Sequence, residues 1–305
     1  MKELTCDIFI TGAGAAGMAA ALSACHEGAD VILAEHDDLP GGILNRCIHQ
    51  GFGLGYFGED LTGQEYAARF RDRLRSSDVR LFTGTTVLSV SDDRTALMTS
   101  ADGLHQVHFS ACILASGSTE RNLSSIPVAG TRPAGVLTAG CLQGMMNLGG
   151  YTETGDHIVI LGSGNVGQIM GRQLIRAGKT VIAMIEQEEH PGGLARNHRE
   201  CIEAYHIPLR LHSTITEIHG TDHISAVTVK DLHSGKTEIL KCDTLITALG
   251  LIPDRSPAAG LYRNGTFPGW LSLCGNCDTI YDIADSLTAQ AEQTGKRVCR
   301  SLSRR

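Results

Sequence analysis

At 305 residues the chain is about twice the length of an average domain, so it can bury sizeable cores without disulfides or metals. Hydrophobic residues make up 42% and charged residues 19%, which excludes a disordered chain, and no apolar run approaches the ~18 residues of a membrane span. A formal charge of −7 gives no general attraction to nucleic acid or acidic membranes, and ten scattered cysteines suit a reducing cytoplasm better than a secreted disulfide framework.

The first element is the β-rich run Ile8-Phe9-Ile10-Thr11, followed by Gly12-Ala13-Gly14-Ala15-Ala16-Gly17 and an alanine-rich helical stretch over 16–24. Lys2 and the apolar residues ending in Leu22-Ser23-Ala24-Cys25 have the outline of a lipoprotein signal. Glu3, Asp7 and the three glycines interrupt it, so strand, turn and helix is the expectation. A second strand, Val31–Ala34, ends on Glu35, and Pro40-Gly41-Gly42 comes five residues after that acid. Thr62 with Glu65 forms a capping box ahead of Tyr66, Phe70 and Leu74 at helical spacing. Strands are expected at 79–82 and Thr86–Val90, and a hairpin from 96–98 and 107–109 around Asp102-Gly103. Ile113-Leu114-Ala115-Ser116-Gly117 closes this half, and residues 122–135, with two prolines and little periodicity, read as a linker.

The second half repeats the first. Ile158-Val159-Ile160-Leu161 leads into Gly162-Ser163-Gly164-Asn165-Val166-Gly167, with the glycines offset by 150 (162 − 12). A helical stretch over 166–177 and a strand over 181–185 end on Glu186, again five residues before a Pro-Gly-Gly, here Pro191-Gly192-Gly193. Strands at 226–229 and 237–240 flank the turn His233-Ser234-Gly235, and Ile246-Thr247-Ala248-Leu249-Gly250 closes the half. A second linker is read at 251–257.

A lone GxGxxG is weak, but each of these follows a strand, opens a helix and is answered by a second strand ending on an acid. The first glycine permits the tight turn, the second lets phosphates approach the backbone, and the third lets helix and strand pack closely. The pyrophosphate then meets the positive helix end, where N–H groups point outward. Glu35 and Glu186 fall where a carboxylate accepts from a ribose hydroxyl. The expected fold is α/β, with two Rossmann-like domains, each a parallel sheet with helices and an inserted small antiparallel layer.

With these residues the chain resembles the two-dinucleotide-domain flavoproteins of the pyridine nucleotide-disulfide oxidoreductase superfamily, over essentially its whole length. Gly41-Gly42-Ile43-Leu44-Asn45-Arg46-Cys47-Ile48-His49-Gln50-Gly51-Phe52-Gly53, Pro191-Gly192-Gly193-Leu194-Ala195-Arg196-Asn197 and Cys274-Gly275-Asn276-Cys277 narrow the likeness. They resemble the FAD-dependent oxidoreductases associated with anaerobic glycerol-3-phosphate dehydrogenases and the FAD subunits of opine oxidases and hydrogen cyanide synthase. The length is similar to the thioredoxin reductase-type two-domain layout.

The resemblance implies a discontinuous FAD domain, 1–121 with 251–305, and a NAD domain at 122–250. It carries Gly12, Gly14, Gly17, Glu35 and Gly42 to FAD, with Val87 meeting the adenine and Gly117 returning near the flavin. Gly275-Asn276 matches a Gly-Asp motif on the ribityl chain, with an amide in place of the acid, and a helix from about Ile280 points at the flavin. Gly162, Gly164, Asn165, Val166, Gly167, Glu186 and Gly250 go to the nicotinamide nucleotide. Glu186, with Glu188 and Glu189, favours NAD over NADP, because a carboxylate there repels a 2′-phosphate and no arginine immediately follows the strand.

Cys47 and His49 lie where disulfide reductases of the superfamily carry redox cysteines. Two readings stand: a thiol activated by the imidazole and the flavin, or two residues that shape the flavin pocket. A second nearby cysteine is missing, so Cys47 would cycle through a sulfenic acid. The Cys274/Cys277 pair lacks two further ligands for a metal site, and Cys6, Cys25, Cys112, Cys141, Cys201 and Cys242 read as small core residues. The leading function is electron exchange between NAD(H) and a partner dehydrogenase subunit or small acceptor through FAD. The alternatives are a stand-alone disulfide or peroxide reductase using Cys47, and a non-catalytic nucleotide sensor. A homodimer is the remaining assembly expectation; no membrane insertion and no metal are expected.

Overall fold

The computed structural model describes residues 1–151 and 153–302. It divides into two compact units, Met1–Thr119 with Ile252–Arg305, and Glu120–Leu251.

In the first unit, Lys2–Thr11 lies inside a seven-stranded sheet. Val31–Ala34 and then Arg80–Phe82 pair parallel on one side, and Gly103–Leu114 pairs parallel on the other. Thr95–Ser100 and Thr86–Val90 continue antiparallel beyond Gly103–Leu114, and Leu271–Leu273 pairs parallel with its last residues. The hairpin around Asp102-Gly103 and the apolar run 113–114 therefore share one 12-residue strand. Its burial alternates at first and becomes continuous from Ala111, as the strand passes from a layer with one wet face into a sheet covered on both.

Alternation along Lys2–Thr11 feeds two cores. Ile8 and Ile10 pack with helix Ala15–His26 and with Tyr66 and Phe70 of helix Gly63–Arg75, while Phe9 packs with Met98, Phe109 and Leu114. The capping box forms: Thr62 Oγ1 accepts from Glu65 N at 3.2 Å, and the Glu65 carboxylate accepts from Thr62 N at 2.8 Å. The last helix is Ala284–Leu302, beginning four residues later than the Ile280 start expected from sequence. Three bonds explain the delay. Asn276 Oδ1 accepts from Tyr281 N at 3.0 Å, and the Asp285 carboxylate in the helix's first turn accepts from Gly53 N and Gly55 N. Gly295 lets this helix lie against Ala15–His26, because a Cβ there would stand 2.3 Å from Ala20 O.

The second unit has a parallel five-stranded sheet in the order Val136–Thr138, Thr244–Thr247, His157–Leu161, Thr180–Ile185, Leu209–Arg210. Ser213–Gly220, Ile224–Asp231 and Thr237–Lys241 form its antiparallel layer. Residues 122–135 are not a bare linker. Leu123 and Val128 are buried with Ile215, Ile218 and Val227, and Ala129–Gly130 adds a strand beside Ser213–Gly220. Among the described residues, no helix is long and apolar enough to cross a membrane. The doubly wound α/β architecture expected from the sequence is the one observed.

Candidate functional site

The first strand–turn–helix is built by three glycines with different tasks. Gly12 has a φ of +87°, and a Cβ on it would stand 2.6 Å from Ala115 O. On Gly17 it would stand 1.7 Å from Gly12 O, so helix and turn touch there. A Cβ on Gly14 would meet nothing within 4 Å, leaving open space in front of the helix end. Gly14 is also the N-cap of Ala15–His26 and offers no side-chain cap, whereas Thr62 and Thr138 cap their own helices with hydroxyls. The helix's outward N–H groups and its positive end are thus left for an anion.

The second unit repeats this arrangement almost bond for bond. A Cβ on Gly162 would stand 2.2 Å from Ala248 O and one on Gly167 2.5 Å from Gly162 O, while Gly164 is open. Gly164 heads helix Asn165–Arg176, again without a side-chain cap. Gly12 N donates to Ala34 O at 2.7 Å, and Gly162 N donates to Ile185 O at 2.8 Å.

The two acids are pinned alike. Glu35 is buried; its Oε2 accepts from Ala13 N at 2.6 Å and its Oε1 from Asp37 N at 2.9 Å. Glu186 Oε2 accepts from Ser163 N at 2.9 Å and Ser163 Oγ at 2.6 Å, and Oε1 accepts from Glu188 N at 3.1 Å. Each carboxylate stands at the end of the second strand, where a dinucleotide presents its ribose. Uncapped helix ends, glycines with open space before them and pinned acids together fit dinucleotides in both units.

Around the first turn, a Cβ on Gly42 would lie 3.3 Å from Gly14 Cα, so the Pro-Gly-Gly segment rests on the fingerprint. Arg71 fastens that segment by donating to Pro40 O and to Asn45 Oδ1. Gly275, at a φ of +69°, brings its segment to the helix end, where a Cβ would meet Ala16 Cβ at 2.6 Å. Arg255 holds the same segment by donating to Cys277 O and Asp278 O. Thr85 N donates to Glu35 O, which sets the strand of Val87 beside the acid. Gly117 O accepts from Asp254 N at 3.0 Å. Asn276 spends its amide oxygen on Tyr281 N, and Ile280 is exposed on the loop after it rather than heading a helix.

In the second unit, Gly192 rests on Gly164 as Gly42 rests on Gly14, with a Cβ distance of 3.4 Å. Asn165 Oδ1 accepts from Leu194 N at 2.7 Å, and Val166 is half-buried against the core. Gly250 O accepts from Arg121 N at 2.9 Å. A cleft of about 370 Å³ opens here, lined by Gly162, Glu186, Gln187, Thr214, Leu249 and Arg121 among others. Sequence reading missed Ser163 and Gln168, which knit the turn together: Gln168 Nε2 donates to both Ser163 O and Gly192 O at 2.6 Å. Ser163 occupies a variable position of the fingerprint and Gln168 follows it, so only the fold reveals them. Arg71, Arg255 and Arg121 belong to no motif, and only the fold shows what they hold or line.

Cys47 is buried, and its Sγ donates to Ile43 O at 3.4 Å. Burial pushes its thiol up to about 12, with Arg46 as the opposing charge, so it is a neutral thiol at physiological pH. His49 is half-buried, with Nδ1 2.8 Å from Gln50 O and its ring 5.3 Å from Phe52. Cys274 and Cys277 are buried free thiols; Cys277 Sγ donates to Leu114 O at 2.8 Å, and burial pushes Cys274 up to about 12. Among the described residues, no group of three or more His, Cys, Asp or Glu is placed to hold a metal. Cys141 corrects the sequence expectation of a core residue. It is exposed in the first turn of Ala139–Asn147, whose buried side is taken by Ala139, Leu142 and Gln143.

Two strand–turn–helix units of this kind in one chain are the arrangement of a protein built for two dinucleotides. Residues 6–296 match the pyridine nucleotide-disulphide oxidoreductase family, and the chain belongs to that family of flavoproteins, whose members bind FAD and NAD(P)H. It is 28% identical over 269 residues to the alpha subunit of sarcosine oxidase from Rhizobium meliloti, covering 81% of this chain and 24% of that protein. It is 27% identical over 289 residues to the HcnB subunit of hydrogen cyanide synthase from Pseudomonas aeruginosa, covering 86% and 61%. An opine oxidase subunit from Agrobacterium tumefaciens is 32% identical over 196 residues, covering 61% and 37%. The chain thus spans between a quarter and three-fifths of the length of these relatives. Among solved structures, the T. acidophilum thioredoxin reductase superposes with a TM-score of 0.77 at 21% identity, covering 98% of this chain and 99% of that one. The Lactococcus lactis thioredoxin reductase gives 0.76 at 19% identity, covering 97% and 99%. At that identity the likeness speaks for the fold alone.

Proposed function

We propose that the first unit holds FAD, that the second holds NAD(H), and that the protein passes electrons between NAD(H) and a partner dehydrogenase through the flavin. The observation that carries this reading is two uncapped fingerprint helices, each beside a pinned acid, in a chain whose Cys47 thiol is buried. A thiol relay needs a thiolate within reach of its substrate, and Cys47 offers neither the charge nor the access. The three relatives named above are each one subunit of a larger enzyme by name, which supports a partner chain as the other end of the transfer.

FAD, when bound, supplies the hydride and electron chemistry. The protein's own work is binding and orientation. The open end of Ala15–His26 receives the FAD pyrophosphate, Glu35 accepts from its ribose, and the segment held by Arg255 offers Gly275 and Asn276 to the ribityl chain. In the second unit, Gly164 and the end of Asn165–Arg176 receive the other pyrophosphate, and Glu186 accepts from the ribose. Glu188 and Glu189 are exposed beside it, and this acidic strand end disfavours a 2′-phosphate. The reading is therefore NAD.

The test is an anaerobic titration of the FAD-loaded protein with NADH, followed by the flavin's visible absorption. Stoichiometric bleaching is expected, and with NADPH only at far higher concentration. An unchanged spectrum with NADH demonstrably bound would refute the electron-transfer reading.

A further inference from the structure

We propose that Arg121 lays its guanidinium against the adenine of the nicotinamide nucleotide and supplies the grip on its adenosine half. The proposal rests on the assignment of NAD(H) to the second unit and adds the residue that reads the base.

The position of the base follows from the rest of the site. Pyrophosphate at the open end of Asn165–Arg176 and ribose at Glu186 leave the adenine as the next group along the molecule. The cleft that Gly162 and Glu186 line is lined also by Gln187, Thr214, Arg121 and Ile126, so the arginine shares the space in which the base must lie. Arg121 is fixed at its backbone, where its N–H donates to Gly250 O at 2.9 Å. The preceding residue is anchored too, since the Glu120 carboxylate accepts from Gly140 N at 2.7 Å and Cys141 N at 3.1 Å. Among the described residues, however, the Arg121 guanidinium makes no hydrogen bond or ion pair. Glu186, which lines the same cleft, accepts from Ser163 and Glu188 and is not a partner of Arg121. A cation held at its base and unspent at its tip, in the cleft that Gly162 and Glu186 also line, is suited to an aromatic face. A guanidinium is planar and weakly hydrated, so it stacks where an ammonium does not.

The internal repeat shows that this device belongs to the second unit. Asp254 N donates to Gly117 O as Arg121 N donates to Gly250 O, so Asp254 is the counterpart of Arg121. Asp254 Oδ1 accepts from Ser256 N at 2.9 Å. The first unit has an acid, turned to its own loop, where the second has the unpaired cation.

Arg121 is exposed, so its variants fold, which a thermal melt matching the parent checks. Calorimetric titration with ADP-ribose, which carries the adenosine and pyrophosphate but no nicotinamide, reads the contact directly. Arg121→Ala raises its Kd roughly tenfold, and Arg121→Lys recovers little of that. The anaerobic rate of flavin reduction by reduced nicotinamide mononucleotide, which has no adenine, is unchanged in both variants. Unaltered ADP-ribose binding in Arg121→Ala overturns the proposal. Full recovery in Arg121→Lys, or tighter binding of 2′-phospho-ADP-ribose than of ADP-ribose by the parent, also overturns it and makes Arg121 a reader of phosphate charge. A parent protein that neither binds ADP-ribose nor is reduced by NADH overturns the nucleotide assignment itself, and the proposal with it.

Discussion

Substituting alanine at Gly14 and at Gly17 separates ligand binding from folding within one six-residue turn. Gly14 has φ −70° and ψ −172°, which any residue adopts, and a Cβ there meets no protein atom within 4 Å. Gly14→Ala therefore leaves the fold intact and gains about 0.4–1 kcal/mol by restricting the unfolded chain. Its methyl occupies space that phosphate oxygens need, and overpacking of about 1–3 kcal/mol weakens FAD binding roughly 5- to 150-fold. At Gly17 the methyl would stand 1.7 Å from Gly12 O. Neither side gives way, because Gly12 N is tied to Ala34 O and Gly12 already lies against Ala115 O. The cost reaches at least the top of the overpacking range, about 3 kcal/mol, and lowers Tm by roughly 6–12 °C. Circular-dichroism melts of the apoprotein and fluorescence titration with FAD measure the two quantities independently. A Gly14→Ala protein that retains FAD at parental affinity, or a Gly17→Ala protein that melts like the parent, refutes this division of labour.

Other expectations follow from the same contacts. Glu35→Gln sets an amide N–H₂ against one of two backbone donors, Ala13 N or Asp37 N, and costs about 1–3 kcal/mol of stability or of FAD affinity; co-purified flavin content reports it. Glu186→Ala removes the charge facing a 2′-phosphate and raises the NADPH-to-NADH ratio of kcat/KM roughly tenfold, whereas an unchanged ratio would assign nucleotide choice elsewhere. Iodoacetamide near neutral pH labels exposed Cys141 before buried Cys47, which peptide mass spectrometry resolves, and Cys47→Ser leaves flavin reduction by NADH intact. Burial also holds Cys6, Cys47, Cys242 and Cys274 at about 12 in the folded chain, against about 9 when unfolded. From pH 9 upward the unfolded chain binds fewer protons than the folded one. The stability carried by these neutral thiols is thus complete below pH 9 and is lost toward pH 12. Urea midpoints that stay flat across that window would contradict the burial.

The architecture was legible in the sequence because it rests on local signals repeated at a fixed offset. Glycines at 12, 14 and 17 and at 162, 164 and 167, each with an acid at the end of the next strand, mark strand, turn and helix through backbone geometry alone. The Thr62/Glu65 box was readable for the same reason, since both partners lie within one helical turn. Residues that act across the fold were not. Leu123 and Val128 sit among prolines and polar residues in the chain, and only the antiparallel layer beneath them makes them core. The last helix starts at Ala284 because Asn276 and Asp285 bond to Tyr281 and to the distant Gly53 and Gly55. Cys47 reads in sequence as a redox candidate and Cys141 as a core residue, yet the fold buries the first and helix phase exposes the second. The sequence by itself determined two Rossmann-like folds and the glycines and acids that build their turns, since turn geometry and strand period are written in neighbouring residues. Tertiary structure alone decided which thiols are buried, which arginines clamp the loops and which one stands unspent in the cleft beside Glu186. Solvation and pairing are set by residues far apart in the chain.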